Sequence, residues 1–195
     1  MGKLILVRHA ESVGNRTRRF TMDGGSPLTE LGREQARQAA ALIRARFKPE
    51  LLVSSPYRRA LETAEIIGRE IAYARPPLVV VELCERDFGQ LKGRPYDAVH
   101  DDPAFRSAVE PLWKPPGGES LEEVRLRTAP ALEKLARDFP DIEVVVVSHG
   151  GVMTALCAHL NGGWEGVTVP ENCAVLLVEN FEGRLSAPTP VAPLK

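Results

Sequence analysis

The sequence has little of what marks a specialised class of protein. Its three cysteines, Cys84, Cys157 and Cys173, cannot pair completely and show neither a CxxC pair nor metal-ligand spacing. They are expected as small buried apolar residues in a reducing cytoplasm. No apolar run approaches the roughly 18 residues that a membrane helix needs, and Met-Gly-Lys leads straight into a strand without a signal h-region, so neither a membrane partner nor secretion is expected. Neither sign of charge dominates. Lys and Arg number 25 and Asp and Glu 26, for a formal net charge of -1, which is not basic enough for nucleic acid. There is no GxxxxGK[ST] loop and no internal repeat. The one adjacent acidic cluster, Asp101-Asp102 before Pro103, lacks partners at ligand spacing, so no metal and no cofactor are expected.

What is present reads as one soluble α/β domain. The chain has 195 residues, 44% hydrophobic and 26% charged, enough to bury roughly 70% of its unfolded surface. Continuous apolar runs at 4–7 (LILV), 51–53 (LLV), 79–81 (VVV) and 144–147 (VVVV) predict buried parallel strands, and AVLLVEN at 174–180 a fifth. Between them, Ala36, Ala39, Ala40, Ile43 and Phe47, then Ala60, Ala64, Ile67 and Ile71 repeat with helical period. Ser120 and Glu123 form a capping box that starts a further helix, and Pro130 is expected to kink or split it. Alternating strands and helices imply a three-layer sandwich, a mostly parallel central sheet with helices on both faces. The expected organisation is a single domain over 1–186 with a cover segment at about 84–118, then a proline-rich tail, 187–195, lying loosely on the surface. An edge strand or helix face could pair two copies.

Ligands of such sheets bind beyond the carboxyl ends of the strands. The exits are Arg8-His9, Ser54 to Arg59, Glu82 to Glu85, and Ser148-His149-Gly150-Gly151. Two arginines offer planar forks for oxyanion oxygens, and a protonated histidine would add a third cationic donor. Gly150 and Gly151 open a helix whose free N–H groups favour negative charge. Phosphate suits so many donors better than carboxylate. Within that cage a neutral His9 could attack phosphorus, and a glutamic acid from 82–85, raised by burial or by like-charged neighbours, could protonate the departing oxygen. A cysteine nucleophile would need Cys-x5-Arg, and six residues after the three cysteines stand Gln90, Gly163 and Glu179. That chemistry is closed.

The motifs RHAES (8–12), SSPYRRALETA (54–64), LCERDFGQLKG (83–93), GGES (117–120) and VSHGG (147–151) resemble, in order, those of the histidine phosphatase superfamily, the phosphoglycerate mutase-like proteins. The resemblance implies a phosphohistidine intermediate at His9, pocket arginines at Arg8 and Arg59 with Arg58 the lesser candidate, an acid at Glu85 and a second pocket histidine at His149. Asn15 and Thr21 stand where the family's first loop contacts phosphate, with Gly150 as a further substrate-binding position. Ala10 departs from the family's glycine, at little cost if its φ is negative. The segment from Glu85 to Glu119 is shorter than the insertion of the mutases, which predicts an open, watery pocket and hydrolysis of a small phosphorylated substrate rather than transfer. The alternatives are a cofactor-dependent phosphoglycerate mutase and a catalytically silent phosphate-binding module. His9 is expected at an exposed edge, His100 and His159 in structural roles, and one of Arg16, Arg18 and Arg19 against the remote part of the substrate.

Overall fold

The computed structural model describes residues 1–21 and 24–194; Lys195, the last residue of the expected tail, lies outside them. The architecture is mixed α/β, a central sheet flanked by helices. Among the described residues seven strands form one sheet. Its centre is β1 (Gly2–Arg8), β4 (Glu143–Ser148) and β2 (Leu51–Ser54), all parallel. Alternate residues serve opposite faces, which is why these runs are apolar without a break. Leu4 and Leu6 pack with Val144 and Val146 against helices α4 (Leu121–Asp138) and α5 (Gly150–Asn161). Ile5 and Val7 join Val145 and Val147 against helices α2 (Glu30–Arg46) and α3 (Arg58–Glu70). A short helix, α1 (Val13–Arg16), follows β1 and is capped by Ser12.

Four expectations need correction. The run 79–81 is not a buried strand: β3 (Leu78–Val79) pairs only two residues with β2 at the sheet edge, both are exposed, and Val81 begins a 3-10 turn to Leu83. Strand β5 (Val175–Phe181) is antiparallel to β1, because an apolar run encodes burial and not direction. Helix α4 runs unbroken through Pro130 from the expected Ser120–Glu123 capping box, so the proline does not split it. The tail is not wholly loose: after β6 (Arg184–Leu185), β7 (Thr189–Pro190) adds to β5, and Val191 packs on the core.

Candidate active site

The parallel strands put their exits on one rim. Arg8 pairs with Ser148 across β1 and β4. One residue further on, the His9 N–H donates to the Ser148 carbonyl at 2.8 Å, and the Ser55 N–H donates to the Val147 carbonyl at 3.0 Å. The rings of His9 and His149, far apart in the chain, stand 5.2 Å apart between centroids. Both are buried, His9 2% and His149 0% exposed. The expected exposed position for His9 is therefore wrong; the segment leading into β5 covers it. The Asn172 side chain donates to the His9 carbonyl at 2.9 Å, the Cys173 N–H donates to the Arg8 carbonyl, and the Pro170 carbonyl accepts from Arg8 Nη1.

The hydrogen bonds of His9 fix its tautomer. Nδ1 lies 2.7 Å from the Ala10 carbonyl oxygen, which can only accept, so Nδ1 carries the hydrogen and Nε2 the lone pair. Burial, then the cations of Arg59 and Arg8, hold its pKa well below the ordinary histidine value. His149 is lowered in the same way, by burial first and then Arg59, His9 and Arg8. The expected protonated histidine is thus absent: the positive charge of the cage comes from guanidinium groups. Arg59 is 3% exposed and donates from Nε to His9 Nε2 at 3.1 Å and from Nη1 to Thr21 Oγ1 at 3.2 Å. Its guanidinium lies over the Tyr57 ring at 5.2 Å. Arg58 points instead to the surface and pairs with Glu62 at 2.7 Å. Arg8 Nε and His149 Nδ1 are buried without a protein partner among the described residues; Arg8 lines the cavity, and an oxyanion there would accept from its Nε–H.

Glu85 lines the same cavity. Its Oε1 accepts from the Arg86 N–H at 2.8 Å and from the Gly151 N–H at 3.1 Å, at the start of α5. A Cβ on Gly151 would lie 2.6 Å from that oxygen, and one on Gly150 3.3 Å from the Arg8 guanidinium, so glycine at both positions lets the helix end approach the cage. Of the two influences weighed for the acid, burial and like-charged neighbours, the second is not what surrounds Glu85: Arg8, Arg59 and Arg86 each feel its charge. The Glu85 loop is held by Arg127, which bridges both Glu119 oxygens at 2.8 and 2.9 Å and donates to the Glu82 and Glu85 carbonyls.

These groups line a cavity of about 610 Å³ that includes Asn15, Thr21 and Gly150. Asn15 donates to the Tyr96 hydroxyl at 3.3 Å and closes the Ser12 capping box. His149 lies behind the wall and reaches the Ser55 hydroxyl through Nε2 at 2.7 Å. Ala10 is buried and absent from the left-handed region, and its N–H donates to Thr63 Oγ1, the threonine of the ALETA motif. Of the basic run, Arg18 lines the cavity and pairs with Asp97, while Arg19 donates to the Gly93 carbonyl. His100, expected to be structural, also lines the cavity; His159 sits on α5 against Glu133. Sequence reasoning missed Ser55, Arg86, Asn172 and Arg127. Asn172 and Arg127 hold backbone carbonyls, which carry no sequence signal, and Ser55 lay inside a motif read for its arginines.

The sequence profile of the histidine phosphatase superfamily (branch 1) matches residues 4–187. A metal-independent phosphoserine phosphatase of Arabidopsis thaliana is 33% identical over 159 residues, 79% of this chain and 66% of that protein. A 2,3-bisphosphoglycerate-dependent phosphoglycerate mutase of Rhizobium etli is 30% identical over 201 residues, 97% of this chain and 90% of that protein. Among solved structures, a mycobacterial glucosyl-3-phosphoglycerate phosphatase in complex with VO3 superposes with a TM-score of 0.84 at 29% identity, covering 97% of each chain.

Proposed function

The chain belongs to the histidine phosphatase superfamily, and from that premise we propose that it hydrolyses a small phosphomonoester without metal, passing the phosphoryl group through His9. The observation that carries this reading is the imidazole itself: buried, neutral, fixed at Nδ1, with its Nε2 lone pair facing the Arg59 guanidinium in a cavity that Glu85 also lines. Phosphate oxygens take the donors of Arg8, Arg59 and the start of α5, and Arg59 Nε–H exchanges Nε2 for an ester oxygen. Nε2 then bonds to phosphorus as the phosphorus–oxygen ester bond breaks, and the Glu85 carboxyl gives its proton to the leaving oxygen. In the second half a water attacks phosphorus, Glu85 takes the water's proton, and the nitrogen–phosphorus bond breaks to release inorganic phosphate. Two guanidiniums offset the charge that builds on the equatorial oxygens in both halves.

The VO3 complex of the mycobacterial phosphatase supports an oxyanion site in this fold, and the name of the Arabidopsis relative supports chemistry without metal. Among the described residues no helix is long and apolar enough to cross a membrane, and the three cysteines are free thiols, which supports a cytoplasmic setting. The test is turnover of p-nitrophenyl phosphate in excess EDTA with released phosphate counted. Hydrolysis unchanged by chelator and lost in His9→Ala is expected. Activity that vanishes with EDTA, or survives in His9→Ala at the wild-type rate, contradicts the reading. Return of the phosphoryl group to a sugar acid in preference to water identifies a mutase.

A further inference from the structure

The cavity is larger than a phosphate group needs. At about 610 Å³ the whole space is that of a drug-sized ligand, within the roughly 300–1,000 Å³ of such pockets. Much of the remaining wall is made of rings from the first loop and the cover segment. Phe20 packs on Phe88 at 4.4 Å and on Tyr96 at 4.9 Å, and Phe105 meets Trp113 edge-on at 4.8 Å. All five line the cavity, with Val99, Ala108, Leu121 and Val169 between them.

The polar handles of this wall are turned to the protein. Trp113 Nε1 donates to Asp102 at 2.9 Å, and the Tyr96 hydroxyl accepts from Asn15. The cations beyond the cage are engaged as well. Arg18 is paired with Asp97 at 3.1 Å. Arg86 donates to the carbonyls of Glu119 and Trp113 and lies against the Phe88 and Trp113 rings, its pKa pushed down to about 10 by burial. Arg106 folds back on the carbonyls of Pro103 and Phe105. His100 and Ser107 also line the cavity, but the ring faces give a polyhydroxyl or carboxylate-bearing alcohol few partners for the polar groups it desolvates there. A flat apolar group would gain stacking and burial.

We propose that the preferred substrate is the phosphate ester of a bulky, ring-bearing alcohol, its ring system held by Phe20, Phe88, Tyr96, Phe105 and Trp113 while its phosphate sits between Arg8 and Arg59. This rests on the phosphatase reading above and adds the class of leaving group. It is tested with primary alkyl esters, whose leaving oxygens are equally poor, so that only the body of the alcohol varies. 2-(1-Naphthyl)ethyl phosphate is compared with propyl phosphate and phosphoserine. The expected kcat/KM ratio favours the naphthyl ester by roughly tenfold to a hundredfold, mainly through KM. Phe105→Ala, at a half-buried position on the cavity's far side, lowers that ratio at least threefold, and Trp113→Ala does so more strongly.

Binding of the matching phosphonates to the wild-type chain, read by calorimetry, gives the ordering without turnover. His9-dependent hydrolysis of all three esters with equal kcat/KM overturns the substrate class and leaves the phosphatase reading standing. A preference for phosphoserine, or equal binding of the naphthyl and propyl phosphonates, overturns it as well. Tighter binding of the naphthyl phosphonate with no turnover of any ester overturns the phosphatase reading and keeps the ring-binding wall.

Discussion

Replacing Arg59 with methionine separates the electrostatic work of the cage from its shape. The side chain is buried, and methionine fills much of the same volume without charge or donors. Its guanidinium makes a bond to His9 Nε2 at 3.1 Å and one to Thr21 at 3.2 Å, and presents the remaining donors to the phosphate. Charge-assisted hydrogen bonds contribute about 1.5–3 kcal/mol each. Losing two of them from the transition state raises the barrier by about 3–6 kcal/mol, so kcat/KM for p-nitrophenyl phosphate falls by roughly 10²–10⁴. A second effect has a definite sign. Arg59 is, after burial, the largest influence lowering His9, so its removal lets the His9 pKa rise toward the ordinary value. Attack needs the unprotonated ring, and the acid limb of kcat/KM moves to higher pH. Arg58→Met, at the exposed residue beside it, leaves kcat/KM within about twofold, as surface changes do. Steady-state kinetics from pH 4.5 to 8 with a thermal melt of each variant make the measurement. A well-folded Arg59→Met chain within tenfold of wild type, or one whose acid limb is unmoved, refutes the reasoning.

Glu85→Gln loses more activity on an alkyl phosphate than on p-nitrophenyl phosphate, because nitrophenolate departs with little protonation; equal losses on both point to another acid. Gly151→Ala sets a methyl group 2.6 Å from the Glu85 carboxylate and reproduces that leaving-group dependence with the glutamate still present; a wild-type profile contradicts the contact. His149 is held neutral by the fold, so the unfolded chain binds the extra proton below its ordinary pKa of 6.5. Stability therefore falls as the pH drops below about 6.5, by up to ~1.4 kcal/mol per pH unit for each such histidine. Denaturant melts of His149→Gln show a shallower slope between pH 6.5 and 5; an identical slope means His149 does not contribute.

The parts of the molecule legible in the sequence are those where one physical requirement dominates. Strands β1, β2 and β4 are covered on both faces, so each is an unbroken branched run, and their common direction brings Arg8, Ser55 and His149 to one rim. The α4 start could be read because Ser120 and Glu123 satisfy two backbone donors by themselves. Burial depth was not legible: His9 at a strand exit reads as exposed, yet Pro170 to Cys173 fold over it from far along the chain. Direction was not legible either, as the antiparallel β5 shows, and an apolar run such as 79–81 does not reveal that it lies at an edge. The ring wall of the cover segment has no periodicity, because its residues converge from turns rather than along one helix face.

The central claim is that phosphorus is bonded to His9 during turnover. Rapid acid-free quenching of the chain with a radiolabelled phosphomonoester, followed by proteolysis and mass spectrometric mapping under alkaline conditions, tests it most directly. A phosphorylated imidazole on the peptide containing His9, formed and lost at rates compatible with turnover and absent in His9→Ala, is the predicted result. Label on His149 or on a carboxylate, or full turnover with no covalent phosphate at any time point, contradicts it.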